Sequence, residues 1–164
     1  YIDDFLVSPS NVASFATEGL DVALNYRFRP SNLGSFNLRV TGNYLHKLEF
    51  IASPGAEVDD ARGVSFERSP KYSATSDLTW TSGPLTLNYG VNWFDKTLRF
   101  SNRETEAEPD IVAPEYKYIK ARFEHEVQAA LDIDKRFNIY GGVNNLFDVK
   151  PDVGQSGFPV SARG

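Results

Sequence analysis

The sequence predicts an all-β chain: an antiparallel up-and-down meander of six strands, of the kind that builds part of the wall of a large transmembrane β-barrel. Three observations carry this. Apolar and polar residues alternate with period two in segment after segment. The connections between those segments are short and long by turns. Aromatic residues gather at the segment ends.

The first strand is expected over residues 19–28, where Leu20, Val22, Leu24, Tyr26 and Phe28 face one way and Asp21, Ala23, Asn25 and Arg27 the other. The second covers 35–50, with Phe36, Leu38, Val40, Gly42 and Tyr44 set against Asn37, Arg39, Thr41 and Asn43. The third, 71–81, sets Tyr72, Ala74, Leu78 and Trp80 against Ser73, Thr75, Asp77 and Thr79. In the fourth, 85–94, Leu85, Leu87, Tyr89, Val91 and Trp93 oppose Thr86, Asn88, Gly90 and Asn92. The fifth, 118–133, places Phe123, Val127, Ala129 and Leu131 against Lys120, Arg122, Glu124, Glu126 and Gln128. The sixth, 137–143, separates Phe137, Ile139 and Val143 from Asn138, Tyr140 and Gly142. Strands this long exceed the usual 5–6 residues of soluble sheets and match the roughly 9–11 that cross a bilayer.

Connections 29–34, 82–84 and 132–136 are compact, whereas 51–70 and 101–115 are long. Outer-membrane barrels have short periplasmic turns and longer outside loops, so the first strand is expected to run toward the periplasm and the second away from it. Tyr26, Phe28, Phe36, Trp80 and Phe137 sit beside the short turns; Tyr44, Phe50, Trp93, Phe100, Tyr116 and Tyr118 lie toward the long loops. Amphipathic rings favour membrane–water interfaces.

Composition closes off several classes. The 164 residues contain no Cys, which excludes disulfides and thiolate chemistry, and no Met, so a processed form or a piece of a longer chain is expected. A net charge of -5 without a long basic cluster is wrong for nucleic acid. No apolar run reaches the about 20 residues of a membrane helix. Mean hydropathy of -0.37 has the value of a soluble chain, but barrel strands average a lipid-facing with a lumen-facing residue. No Ser/His/Asp arrangement, phosphate loop or zinc signature is present, and the chain is expected to be neither an enzyme nor a cofactor binder.

Two segments resemble a known family. Gly142-Val143-Asn144-Asn145-Leu146-Phe147-Asp148, followed by Pro151 and Phe158-Pro159, resembles the C-terminal region of TonB-dependent outer-membrane receptors, and the step Gly19-Leu20-Asp21 after Asn11 is similar to a strand entry of that family. The resemblance implies a barrel of roughly 22 strands closed by the protein's own N-terminal plug. It implies import of a scarce nutrient (a ferric siderophore, haem, cobalamin or a carbohydrate) with energy delivered through TonB in the bacterial outer membrane. Residues 1–164 then form a partial C-terminal barrel domain, with neither plug nor TonB-binding segment, whose final strand is missing after Ala162-Arg163-Gly164.

Candidate ligand contacts on the lumen face are Arg39, Asn92, Arg122, Glu124 and Glu126; the competing reading is a solvated strand face with cross-strand charge pairing. His46 and His125 fall in the apolar series of different hairpins, where packing is a better expectation than metal binding. The Asn pair at 144–145 is expected to stabilise a strand end. Acidic segments 56–62 and 103–110 lack calcium-loop spacing and are expected to be exposed outer loops. The alternative from another class is a soluble β-sandwich that binds carbohydrate or serves adhesion.

Overall fold

Pairing two-faced strands edge to edge in one register brings like faces together. That is the architecture of the computed structural model, which describes residues 14–30, 32–64, 69–134, 136–150 and 152. Its strands in chain order are β1 (Ser14–Phe28), β2 (Ser35–Ile51), β3 (Asp59–Asp60), β4 (Tyr72–Ser82), β5 (Leu85–Phe94), β6 (Thr97–Leu98), β7 (Tyr118–Ile119), β8 (Arg122–Asp132) and β9 (Asn138–Val143). The six long strands neighbour one another in the order β1-β2-β4-β5-β8-β9, every pair antiparallel. The fold is therefore an all-β antiparallel meander, and the sheet is open, ending on β1 and β9.

The expected strands differ from these in small ways. β1 starts five residues earlier than alternation alone indicates, because Ser14 to Glu18 pair with the outer part of β2. The stretch 118–133 is interrupted after Ile119, and its first part pairs with β6 as a small ribbon continuing the β5–β8 hairpin.

Short turns lie at one end of the sheet and long connections at the other. At the turn end, Asp134 accepts from the backbone N–H groups of Arg136 and Phe137 at 2.6 and 3.1 Å, closing the last turn. At the loop end the long connections are folded rather than simply exposed. Residues 51–64 lay β3 beside β2. Beyond β6, helix α1 (Asn102–Ala107) opens with a reciprocal capping box between Ser101 and Glu104, and the 3-10 turn Pro114–Tyr116 follows.

Among the described residues the buried side chains are those of Leu48, Ala61, Val64, Ser101 and Val112, all at the loop end; two glycines, Gly63 there and Gly90 in the middle of β5, are buried too. Over the rest of the sheet the described residues provide no second layer: Leu20, Val22, Leu24 and Tyr26 are 55–60% exposed. A sandwich would bury one face of each sheet; here, away from the loop end, the described residues leave both faces uncovered.

Candidate functional site

Since directly opposed residues share a face, the register sorts the side chains without ambiguity. One face carries rows such as Tyr26–Leu38–Leu78–Tyr89–Val127–Val143 and Leu24–Val40–Ser76–Val91–His125. The other carries Asn25–Arg39–Asp77–Gly90–Glu126 and Ala23–Thr41–Thr75–Asn92–Glu124. One face is mainly apolar, interrupted at Ser76 and His125, and the other is mainly polar, with small residues at Ala23 and Gly90.

The apolar face is bounded by two bands of rings. Near the turn end, Phe28 stacks on Phe36 at 4.8 Å, Tyr26 lies 5.6 Å from Phe28, and Trp80 follows at 6.4 Å from Phe36. The indole of Trp80 donates to the Leu33 carbonyl at 2.6 Å, tying the band to the first turn. Toward the loop end, Tyr44 stacks on Tyr72 at 5.0 Å and Trp93 meets Phe123 at 6.2 Å. His125 lies beside them, its Nδ1 2.7 Å from the Tyr89 hydroxyl and its ring edge-on to Phe147 at 4.9 Å. Phe36 and Tyr44 are eight residues apart on β2, or about 27 Å along a strand rising ~3.4 Å per residue.

The polar face is laced by side-chain hydrogen bonds across strands. Thr75 donates to Asn92 at 3.0 Å, Asn88 to Thr79 at 3.0 Å, and Asn43 to Asp21. The five candidate contacts all lie on this face, but only three of them meet. Asn92 opposes Glu124 in register, and Glu124 pairs with Arg122 at 3.1 Å. The Arg122 guanidinium also lies 5.5 Å from the Phe94 ring centre. Glu126 folds over Gly90, where any Cβ would sit 2.6 Å from its carboxyl-bearing chain, so the missing side chain at Gly90 makes its room. Arg39 stands three strands away opposite Asp77. Chemically this is a polar surface of amides, hydroxyls and charged groups, with one ion pair between Arg122 and Glu124.

The segment Gly142 to Asp148 finishes β9 and turns back. Gly142 and Val143 pair with Gln128 and Val127. Asn145 adopts φ 51° and Asp148 φ 50°, a left-handed conformation that Asn and Asp accept more readily than most residues. The Asn145 side chain brackets Val149, accepting from its N–H at 2.8 Å and donating to its carbonyl at 3.2 Å. Leu146 N–H donates to the His125 carbonyl at 2.8 Å, which carries Phe147 onto the His125 ring. Asn144 is exposed. Pro151, Phe158 and Pro159 lie outside the described residues, as does Asn11.

Sequence reasoning did not find the loop-end cluster. Leu48, Ala61, Val64 and Val112 are buried there without periodicity, and Arg62 ties its loop to β2 by donating to the His46 carbonyl. Asp60 accepts from the same guanidinium through three contacts, from Nε at 2.9 and 3.1 Å and from Nη2 at 2.7 Å. That bond keeps the Asp60 carboxyl below its ordinary range and raises Arg62. Among the described residues no three His, Asp or Glu side chains converge in a way that could hold a metal ion. No known protein family matches this chain, and neither a curated protein nor a solved structure matches it.

Proposed function

We propose that the chain is part of the wall of a bacterial outer-membrane β-barrel, from near the C-terminal end of a TonB-dependent receptor with about 22 strands. The observation that carries the membrane part of this reading is the apolar face bounded by two ring bands on an uncovered, single-layer sheet. Strands in such barrels tilt by roughly 40°, so 27 Å along β2 corresponds to about 21 Å across the bilayer, close to the ~25 Å apolar band of these proteins.

In lipid, strand pairing satisfies the backbone groups and the apolar face needs no protein partner.

The receptor assignment is supported by the resemblance carried by residues 142–148. On it, the polar face turns toward the protein's own plug and the passing nutrient: a ferric-siderophore-like compound, haem, cobalamin or a carbohydrate. TonB acts indirectly, through the plug. The wall itself performs no catalysis.

Fractionation of cells tests the reading. The protein is expected in the outer membrane, released by detergent and not by salt, with cells lacking it losing uptake of one of these nutrients. Recovery in the detergent-free soluble fraction would sink the proposal and leave the carbohydrate-binding or adhesion alternative standing.

A further inference from the structure

Continuing the alternation of β2 past Tyr44 would send His46, Leu48 and Phe50 outward with the apolar series. The register does otherwise. Gly19 opposes Leu45 and Glu18 opposes Lys47, so His46 is an extra residue in β2, a β-bulge. Strand β1 alternates through this point, which puts Glu18 on the face of Leu20, and its partner Lys47 with it.

The side chains agree. Lys47 lies 3.9 Å from Glu18 and 3.2 Å from Glu49, and the His46 ring stays 3.3 Å from the Tyr44 hydroxyl. Leu48 goes to the opposite face, where it is 8% exposed beneath the loop, its carbonyl accepting from Ala61 at 2.9 Å. The bulge is pinched at Gly19: a Cβ there would stand 2.8 Å from the Tyr44 carbonyl oxygen.

One inserted residue thus exchanges the two faces. Below it the outward series reads Leu24, Val22, Leu20; above it, Glu18, Lys47, Glu49. The inward series changes from Thr41 and Asn43 to Leu48. We infer that the bulge at His46 sets the outer edge of the hydrocarbon layer on this wall. Lipid ends at the stacked Tyr44–Tyr72 pair, and the outward surface of Glu18, Lys47 and Glu49 meets the water and polar headgroups above it. This rests on reading the wall as membrane-spanning.

Charge in a barrel's lipid face is costly at the bilayer midplane and nearly free at the interface. Paired tyrosines mark such an interface. Three ionisable side chains beginning one bulge beyond the tyrosines are therefore placed where charge costs least. The same shift gives the outer loop an apolar seat.

Residues 1–164 contain no Cys, so a cysteine introduced among them is the only thiol of this stretch, and the unsubstituted protein gives the background labelling. In the protein's own membrane, a membrane-impermeant maleimide is expected to label Glu18→Cys, Lys47→Cys and Glu49→Cys within about threefold of the loop control Val58→Cys. Val22→Cys and Val40→Cys should react at least about tenfold more slowly, as apolar-band positions do. Quenching of a fluorophore on the same cysteines by bromine-labelled acyl chains should give the reverse ranking. Protection of positions 18, 47 and 49 equal to that of 22 and 40 overturns the boundary while leaving the membrane reading intact. Labelling of 22 and 40 as fast as 58 overturns the membrane reading itself.

Discussion

The sheet between its ring bands and the sheet beyond the His46 bulge are built from the same strands, hydrogen-bonded in the same direction, yet they are held by different means. Between the bands the described residues bury no side chain, and Leu20, Val22 and Leu24 remain more than half exposed. Beyond the bulge, Leu48, Ala61, Val64 and Val112 form a small ordinary core roofed by the loops. The comparison teaches that one pair of strands can run from a region that the described residues leave uncovered into one that the loops cover.

Arginine substitution breaks the comparison most strongly. Val40 lies midway between Phe36 and Tyr44. Val40→Arg or Leu24→Arg is expected to cost roughly 2–4 kcal/mol for folding into lipid, against about 0–1 for a charge near the interface. Thr41→Arg and Asn25→Arg, on the polar face, should be tolerated, and so should Glu49→Arg beyond the bulge. Denaturant titration of folding into vesicles gives these values. Equal costs on both faces would remove the distinction between the regions.

Truncating the self-covered region should have a smaller and more local effect. Leu48→Ala leaves a cavity under the loop and is expected to cost about 2 kcal/mol, the low end for a buried leucine because the site is shallow. The loss should appear as faster proteolysis and hydrogen exchange over residues 51–64, with exchange in β4 and β5 unchanged. If the whole sheet loosened together, the two regions would be one cooperative unit.

The two regions were also unequally legible in the sequence. Period two exposed the long strands because each pairs with neighbours of the same alternation, and residues 85–94 emerged with the bounds of β5. The loop-end core was hidden because Ala61, Val64 and Val112 come from irregular backbone with no period to read. The bulge was hidden for a different reason. Within β2 alone, Lys47 and Glu49 share the parity of the polar residues Thr41 and Asn43, with Leu45 between, and only the pairing with β1 shows that they have changed face. A trace did exist in β1, where Glu18 falls in the outward series of Leu20 and Val22. The polar-face candidates share one face of the sheet, as their parity indicates. Their grouping, with Arg122 beside Glu124 and Arg39 far off, depends on strand order, which a single sequence does not state.

A third test concerns the end of β9, which belongs to neither region. Asn145→Ala removes two bonds to Val149 and places a Cβ-bearing residue less suited to φ 51° there. A loss of about 1–2 kcal/mol is expected. Asn145→Gly keeps the backbone freedom and should recover part of it. Thermal melts of the two variants in detergent decide this, and equal losses would mean that the conformation contributes nothing.

The smallest effect expected is electrostatic and confined to the loop end. Asp60 grips Arg62 through both carboxylate oxygens, and Arg62 in turn reaches the His46 carbonyl at the bulge. The bond to Arg62 lowers the Asp60 pKa from its ordinary 3.8. A lowered folded-state pKa means that the folded loop prefers the ionised carboxylate. Its contribution is complete above the unfolded value near 3.8 and is lost as pH falls below that, through the folded value. The Asp60 side chain is 44% exposed, so solvent screening keeps the gain small. Protease sensitivity of residues 51–64 should therefore be flat from neutral pH down to about 4 and rise below it. Asp60→Asn should remove that rise, setting the loop at its low-pH sensitivity throughout. A rise that persists in Asp60→Asn would assign the acid sensitivity to another carboxylate and leave the Arg62 tether independent of its partner.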